Sequence, residues 1–348
     1  MEGAKHRGEM KSTSAVVRGG ILTYYKRLAL SLNLDPNALV QRAGIERRYL
    51  DNPDLSLPIG RLVNLLEITA ASSGIEDFGL RLGASRGLPD LGPITLILRE
   101  EPTVGDALRT LLSLLHLYSD AIYIRLEDGE QPFLTFNLVT GRSAQCKQAI
   151  ETMMANFTST LRWLLGDDWS PALVTFTHSP PIDQARHARF FRCRVDFLQE
   201  WNGIVLRPRD LARKLPASSP VMRQHVERYI RSIDVAPIPT YSYRVTQVVA
   251  MALPRGDARA TRVARFLGVD RRTLNRRLER DGLNFSTVVD NVRRNLATQH
   301  LLGSDRPLSN IAGVLGFGSL SAFTRWFRES FGDPPSSWRK KQKSRGRR

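Results

Sequence analysis

The sequence predicts an α+β N-terminal domain followed by an all-α domain, in which two similar helical units are joined by a long helix. Helical and strand-like stretches are mixed in the first two-thirds of the 348 residues, without the regular alternation of a parallel sheet. Apolar residues of the last third are spaced for helices only, and one short pattern occurs there twice. These observations divide the chain into domains of different class.

Helices are predicted for the start of the N-terminal domain. Residues 1–15 are polar and of mixed charge, so we expect them to be disordered. Apolar residues at helical spacing follow in 18–50 and again in 58–73. Turn residues then bracket two further helices within 91–118.

The strands that follow are predicted to form two hairpins. Apolar residues alternate within 121–138 on both sides of Asp128-Gly129, a dipeptide typical of a tight hairpin turn. A second hairpin is predicted within 195–206, where strand-like segments flank Asn202-Gly203.

Three more segments complete the N-terminal domain. A helix is predicted at 145–165, a strand at 172–177 and a helix at 224–233. A short apolar segment with prolines, 234–240, is interpreted as a linker. Beyond it, amphipathic helices are predicted at 243–253 and 285–302, the second of which connects the two repeated units.

The repeated pattern consists of an apolar residue, alanine and a later glycine, followed by a second helical stretch. Its first half recurs after 48 residues and its second half after 49, so the second turn is one residue longer. The paired residues are Val263 with Ile311, Ala264 with Ala312, Gly268 with Gly316, Leu274 with Phe323, and Arg276 with Arg325.

Each copy has the order of a helix-turn-helix motif, whose second helix can enter the DNA major groove. Gly268 suits a left-handed cap at the end of the first helix. Asp270 suits the N-cap of the next helix, as does Gly318 or Ser319 in the second copy.

A helical wheel separates the two faces of each second helix. The inward positions are apolar in both copies: Leu274, Leu278, Phe323 and Phe327. Arginine and asparagine can form paired hydrogen bonds to base edges, and serine or threonine can reach bases or phosphates. The candidate DNA-binding residues are therefore Arg272, Asn275 and Arg276 in the first unit, with Ser319, Ser321, Thr324 and Arg325 in the second.

An ordinary solvated helix face is the alternative interpretation of these basic residues. The distribution of charge argues against it. Residues 237–348 contain 22 Lys+Arg against 8 Asp+Glu, whereas the remainder contains 29 against 26. A basic excess concentrated in one domain is typical of a domain that meets a polyanion.

With these residues in view, the segment 241–339 resembles the DNA-binding domain of AraC/XylS-family bacterial transcription regulators. The matching residues are Val263-Ala264, Leu267-Gly268, Leu274, Arg276, Leu278, Gly282, Phe285, Arg293, Ala297, Leu301-Leu302, Ile311-Ala312, Leu315-Gly316-Phe317, Ser321, Phe323, Arg325, Phe327, Phe331-Gly332 and Pro334.

The resemblance implies two helix-turn-helix units that read adjacent major-groove segments of a promoter. It places base-reading positions at Arg272, Asn275, Arg276, Ser321 and Arg325. The sequence departs from the family pattern in two places. Asp270 stands where serine is usual, and the recognition helix of the second unit carries Leu320 and Ala322, which offer no hydrogen bond.

The front region is similar to the N-terminal arabinose-binding-like domain of the ornithine-regulator type within the same family. The similarity lies in residues 78–83, 91–92, 102–107 and 195–197. It implies effector sensing and self-association, without identifying the effector. The implied partners are promoter DNA, RNA polymerase, a small-molecule effector and a second copy of the chain.

The domain boundaries follow from both resemblances. We predict a disordered start (1–15), an effector-sensing and dimerisation domain (16–233), a linker (234–240), a DNA-binding domain (241–339) and a basic tail (340–348). Six of the nine tail residues are Lys or Arg. We expect the tail to be disordered, and it either attracts phosphates without specificity or is merely solvated.

Other functional classes find little support. Cys146 and Cys193 are far apart with no CxxC, which favours free thiols in a reducing cytoplasm over a disulfide or zinc site. The sequence has no apolar stretch of about 18 residues and no signal-peptide pattern. We predict no metal site, no cofactor and no enzyme, since no catalytic or nucleotide-binding motif is present.

Several isolated polar and aromatic residues were weighed as sites and interpreted otherwise. Asp167-Asp168 is interpreted as part of a turn rather than as a catalytic pair. His116, His178 and Trp201 are interpreted as ordinary core or surface residues rather than effector contacts.

Two alternatives to a transcription regulator stay open at the level of sequence. One is a DNA-repair or modification protein with the same reading domain, for which Cys146 would be the candidate nucleophile, although no activating neighbour is evident. The other is an architectural DNA binder with little sequence preference.

Overall fold

The computed structural model describes residues 16–53, 55–85, 94–115, 119, 121–138, 146–216, 241–253, 256–303 and 306–345. The predicted disordered start, the predicted helix at 224–233 and the predicted linker at 234–240 lie outside these residues.

A helical layer begins the N-terminal domain. Two short strands, β1 (Val16–Arg18) and β2 (Ser56–Pro58), pair antiparallel and bring the two ends of this layer together. Between them lie α1 (Gly20–Ser31), α2 (Pro36–Arg42) and α3 (Arg48–Asp51), and α4 (Ile59–Ser73) follows. The sequence predicted the helices of this region, and the small strand pair was not predicted.

The layer continues with α5 (Phe78–Ser85), α6 (Ile94–Arg99) and α7 (Val104–Leu114), and a longer helix, α8 (Lys147–Leu165), packs against α5. Two glycines permit this close approach. A Cβ atom at Gly79 would lie 2.1 Å from the backbone oxygen of Gln148, and one at Gly83 would lie 2.5 Å from that of Thr152. Larger residues at either position would therefore force the two helices apart.

A five-stranded mixed sheet forms the second layer. Its strands are β3 (Ile122–Glu127), β4 (Phe133–Leu138), β5 (Leu173–Thr175), β6 (Arg194–Asp196) and β7 (Asn202–Val205), in the order β3-β4-β7-β5-β6. Neighbouring strands pair antiparallel except β5 with β6. Two short helices, α9 (Ala185–Phe191) and α10 (Pro208–Ala212), accompany the sheet.

The first predicted hairpin is confirmed, and the second is wrong. Strands β3 and β4 pair as neighbours, whereas β6 and β7 lie on opposite sides of β5. Asn202-Gly203 is not a turn but the start of β7, where the Asn202 carboxamide oxygen accepts a hydrogen bond from the Thr177 N–H at 2.8 Å. Gly203 is needed there because the Trp201 ring lies 2.0 Å from where a Cβ would be.

The C-terminal domain consists of helices. They are α11 (Tyr241–Ala252), α12 (Ala260–Phe266), α13 (Arg271–Arg280), α14 (Phe285–Gly303), α15 (Leu308–Val314), α16 (Leu320–Phe331) and α17 (Pro335–Arg345). The molecule is thus an α+β domain followed by a helical domain, as predicted. Each domain has its own cluster of buried apolar side chains, one built from residues between 17 and 206 and the other from residues between 245 and 338.

The predicted disordered tail is wrong for residues 340–345, which continue helix α17. The helix is held by Trp338, whose side chain is only 6% exposed. Its ring centroid lies 5.6 Å from that of Phe327 and 5.5 Å from that of Phe331. Composition alone indicated a solvated tail, because the residue that anchors the helix precedes the basic run. Residues 346–348 lie outside the described residues.

Candidate DNA-binding surface

The first helix-turn-helix unit comprises α12 and α13. Helix α12 is followed by Gly268 at φ +67°, a left-handed conformation that glycine adopts without steric cost. Asp270 then caps α13, since its carboxylate accepts a hydrogen bond from the Thr273 N–H at 2.7 Å. That hydrogen bond is the main reason why the pKa of Asp270 is lowered, and Arg276 lowers it further. The cap was predicted from the sequence.

The second unit, α15 and α16, repeats this construction with one addition. Gly316 has φ +71°, and a Cβ there would also lie 2.8 Å from the backbone oxygen of Leu253, the residue after α11. Ser319 caps α16 by accepting a hydrogen bond from the Ala322 N–H at 3.2 Å. The turn of the second unit therefore has a left-handed glycine, as the first turn does, and in addition packs against the end of α11.

The inward face of each recognition helix is buried, as the wheel predicted. Leu274 and Leu278 of α13, and Phe323 and Phe327 of α16, are all 0% exposed. In the second unit the rings of Phe323 and Phe327 pack edge to face at a centroid distance of 5.6 Å. Burial of one face fixes which residues each helix can present to solvent.

The predicted DNA-binding residues lie on the opposite faces. The side chains of Arg272, Arg276, Ser321 and Arg325 are exposed, as is that of Ser319, while Asn275 and Thr324 are half-buried. The outer face of α16 is formed by Leu320, Ser321, Thr324, Arg325, Arg328 and Glu329.

Hydrogen bonds within the unit limit what two of these residues can do. The Thr324 hydroxyl donates to the Leu320 carbonyl oxygen at 2.8 Å, so it can offer DNA only an acceptor. Ser319 is occupied as a cap and lies 3.0 Å from the Ser321 hydroxyl oxygen. By contrast, no ion pair with another described residue engages the guanidinium groups of Arg276 and Arg325.

The connecting helix α14 holds the second unit at a set orientation. Arg293 Nε donates to the Leu315 carbonyl oxygen at 3.2 Å, and its guanidinium carbon lies 4.6 Å from the centroid of the Phe317 ring. Asp290 accepts a hydrogen bond from Trp326 Nε1 at 3.3 Å. The sequence marked Arg293 only through the family pattern, and these contacts show that it braces the turn.

The first unit is braced from the other side by α11. The Ser242 N–H donates to the Asp281 carboxylate at 2.7 Å, just beyond the end of α13. The guanidinium of Arg277 lies over the Tyr241 ring, 5.1 Å from its centroid. These contacts were not predicted from the sequence.

The two domains also touch. Gln299 on α14 donates a hydrogen bond to the Leu138 carbonyl oxygen at the end of β4, and Arg306 donates to the Leu198 carbonyl oxygen. The guanidinium of Arg125 on β3 lies 5.5 Å from the centroid of the Phe266 ring on α12. Nothing in the local sequence pattern signals these contacts, because each joins residues more than a hundred positions apart.

Cys146 does not have the properties of a nucleophile. Its thiol is 5% exposed, and burial raises its pKa. A nucleophilic cysteine needs the opposite shift. Cys193, which is also a free cysteine, has its pKa raised to about 11, again mainly by burial. The structure therefore offers no support for the repair-protein alternative.

A buried polar cluster joins α8 and α9. Glu151 Oε1 lies 3.2 Å from His187 Nε2 and 3.5 Å from His178 Nε2, and all three side chains are almost fully buried. Burial lowers the pKa of His178 to about 4. His178, predicted to be an ordinary core or surface residue, is a buried core residue; His116 lies outside the described residues.

Within the part of the chain that the structure describes, no group of three or more acidic, histidine or cysteine side chains could hold a metal ion. In the same part, none of the helices is long and apolar enough to span a membrane. Asp167-Asp168 lies in a turn after α8, as predicted.

Two helix-turn-helix units that share one helical core form a DNA-binding domain, and an α+β domain precedes them in the chain. This arrangement is typical of a DNA-binding regulator. Comparison with known proteins agrees. Residues 34–215 match the family described as the arabinose-binding N-terminal domain of AraC transcription regulators, and residues 263–341 match a helix-turn-helix domain family. The chain belongs to the AraC family of transcription regulators.

Two relatives carry names that fit this assignment. The chain is 27% identical to the HTH-type transcriptional regulator VirS of Mycobacterium tuberculosis, over 93% of this chain and 96% of that protein. It is 27% identical to the ornithine utilization regulator of Pseudomonas aeruginosa, over 90% and 93%. The crystal structure of the transcriptional regulator CdpR from Pseudomonas aeruginosa matches 91% of this chain at 21% identity and a TM-score of 0.39.

Proposed function

We propose that this regulator binds a promoter by inserting α13 and α16 into two successive major-groove segments on one side of the duplex. The observation that carries the proposal is the pair Arg276 and Arg325. Both are exposed at equivalent positions, on helices whose other faces are buried in one core. Groove segments on one side of B-form DNA repeat at about 34 Å, so a rigid frame can occupy both at once.

The chemistry of each side chain indicates which part of the DNA we propose that it contacts. Arg272, Asn275 and Arg276 read base edges in one segment, and Ser321 and Arg325 read them in the other. Ser319 and Thr324 contact phosphates or accept hydrogen bonds, since their hydroxyl groups already take part in capping or backbone bonding. Leu320 and Ala322 are expected to meet thymine methyl groups.

A binding-site selection with the full chain and random duplexes tests this proposal. The expected product is a bipartite site whose two conserved segments are separated by one helical turn. A protein with both Arg276→Ala and Arg325→Ala is expected to lose the sequence preference in both segments. A matched variant, Arg209→Ala, removes an exposed arginine of the N-terminal domain and is expected to select the same site as the unmodified chain.

Two outcomes would contradict the proposal. A selection that enriches no sequence would favour an architectural DNA binder. Enrichment that survives the loss of both arginines would show that the reading face lies elsewhere. Salt dependence gives an independent check, because each phosphate contact that is removed lowers the slope of log affinity against log salt by about 0.9.

We also propose that the N-terminal domain binds a small-molecule effector and associates with a second copy, and that the bound regulator contacts RNA polymerase. Support comes from the family of residues 34–215, in which this domain is the arabinose-binding type. Sedimentation equilibrium of the full chain with and without operator DNA tests self-association. A single monomeric species under both conditions would contradict it.

A further inference from the structure

A cleft of about 520 Å³ opens in the N-terminal domain between α1, α5 and α9. Its volume falls in the range of small-molecule sites, about 300–1,000 Å³. One part of its lining is apolar and comes from Leu28, Leu32 and Phe190. The other part is cationic and comes from Arg81, Arg186 and Arg189. The cleft is thus an apolar surface with a positive rim.

The positive charge of the rim is only partly neutralised. Asp77 is held between two of the arginines, with its Oδ1 2.8 Å from Arg81 Nε and its Oδ2 2.7 Å from Arg186 Nε. Arg189 has no ion pair with any described residue. Three guanidinium groups and one carboxylate leave an excess of positive charge, and Asp77 holds two of the guanidinium groups in place before a ligand arrives.

Helix α9 supplies both components because its two faces differ. Arg186, Arg189 and Phe190 recur at helical spacing on the face that lines the cleft. His187 and Phe191 are buried on the other face, where His187 contacts Glu151 of α8. The orientation of the cationic face is therefore fixed by a buried contact behind it.

We propose that this cleft binds a small monocarboxylate with an apolar body, the carboxylate on Arg189 and the body against α1 and Phe190. The inference rests on the proposed effector role of this domain and names the class of effector. Guanidinium groups bind carboxylates through paired hydrogen bonds, and an apolar surface favours an alkyl or aryl group over a hydroxylated one.

A sugar fits the cleft poorly. Ser85 provides the one hydroxyl group among the described lining residues, and it already donates to the Leu82 carbonyl oxygen at 2.8 Å. A sugar would bring several hydroxyl groups against leucine and phenylalanine side chains, where they would find no partner.

Isothermal titration calorimetry of the full chain tests the proposal, with octanoate and 3-phenylpropanoate as probes. Both are expected to bind at least tenfold more tightly than acetate, which lacks the apolar body, and at least tenfold more tightly than 1-octanol, which lacks the charge. L-arabinose is expected not to bind. If neither carboxylate binds more tightly than 1-octanol, the proposal is overturned.

Variants locate the site. Arg189→Gln is expected to weaken octanoate binding at least tenfold, and Leu28→Gln to reduce the advantage of octanoate over acetate. Arg209→Gln, at an exposed arginine outside the cleft, is expected to change neither. Equal octanoate binding by the unmodified chain and Arg189→Gln would overturn the proposal, provided that circular dichroism shows the variant to be folded.

The same preparations are then tested for operator binding without carboxylate. Arg189→Gln is expected to bind the selected operator as the unmodified chain does, because the cleft lies in the other domain. Failure of carboxylate binding in a protein that selects its operator would reject this inference alone. Failure of operator selection itself would reject the proposed function.

Discussion

Arg276 and Arg325 differ from Arg277 and Arg293 of the same domain in what surrounds them. Arg277 lies over the Tyr241 ring and Arg293 donates to the Leu315 carbonyl oxygen, so both are used to hold the domain together. Arg276 and Arg325 are exposed on α13 and α16, whose Leu274 and Phe323 are buried. A guanidinium group that forms no ion pair with a described residue keeps its donors for DNA.

Removing either of these arginines is therefore expected to weaken DNA binding and to leave the stability of the fold unchanged. Arg276→Ala and Arg325→Ala should each cost about 1–3 kcal/mol in operator binding and relax base preference at one position of one segment. Arg277→Ala is the matched change on α13 and should lower stability instead, because it removes the packing on Tyr241. Electrophoretic mobility shifts with single-base operator variants would measure the effect, and unchanged preference in both variants would contradict it.

Gly316 is under two constraints, whereas Gly268 is under one. Both have left-handed φ values, for which alanine costs about 1–2 kcal/mol. At Gly316 a Cβ would also meet the Leu253 carbonyl oxygen, adding about 1–3 kcal/mol, while at Gly268 nothing lies within 4 Å. Gly316→Ala should thus destabilise the domain more than Gly268→Ala in urea unfolding of the full chain. Equal urea midpoints for the two variants would show that the turn at Gly316 moves to accommodate the added Cβ without further cost.

The sequence was informative at these residues because the rules that apply are local. A glycine after a helix, a capping aspartate and an apolar stripe each depend on neighbours within about four positions. Leu274, Leu278, Phe323 and Phe327 were placed correctly for that reason. Asn202-Gly203 was misplaced because its role is set by Thr177 and Trp201 in three dimensions, and the same dipeptide is favourable in a turn.

At the scale of elements, the two recognition helices are capped by different chemistry. Helix α13 is capped by the Asp270 carboxylate and α16 by the Ser319 hydroxyl. Only the first can be titrated. The pKa of Asp270 is lowered from 3.8 in the folded protein. Its stabilising effect is therefore complete above that ordinary value and is lost as the pH falls through the lowered pKa.

Acidification is consequently expected to loosen α13 before it loosens α16. Amide hydrogen exchange of the full chain, followed from pH 6 to below the lowered pKa of Asp270, should show protection lost first near residues 271–274. Asp270→Asn keeps a capping side chain without a titratable group and should remove the difference between the two helices. Loss of protection in both helices at the same pH would contradict the assignment of this cap.

Sheet order and domain contact are properties of elements that the sequence does not encode locally. The spacing of apolar residues identifies a strand, but the placement of β7 between β4 and β5 depends on which strands meet after the chain folds. Strands β5 and β6 also pair although α9 lies between them in the chain. The candidate carboxylate cleft could not be predicted from the sequence either, since its residues come from three helices that are far apart in the chain.

For the whole molecule, the connecting helix α14 has two roles. It carries Arg293 and Asp290, which orient the second helix-turn-helix unit, and Gln299, which contacts the N-terminal domain at Leu138. Gln299 also lies close enough to the Cys146 thiol, at the start of α8, to lower the pKa of that thiol against the larger effect of burial. Helix α8 in turn carries Glu151, the partner of His187 on α9. A continuous series of contacts thus joins the proposed effector cleft to the DNA-binding frame.

Breaking the domain contact should separate the two domains without removing the reading face. In a protein with Gln299→Ala and Arg306→Ala, both of these hydrogen bonds are lost while the contact between Arg125 and Phe266 remains. The radius of gyration from small-angle X-ray scattering should increase. The recognition helices are untouched, so operator affinity without carboxylate should stay within about threefold, roughly 0.65 kcal/mol. Asn291→Ala, an exposed change on the same helix, is the control. An effector can shift DNA binding only if it binds the two arrangements of the domains with different affinities. We therefore expect octanoate to change the operator affinity of the unmodified chain and not that of the double variant. An unchanged radius of gyration, or an undiminished response to octanoate, would show that these contacts do not couple the domains.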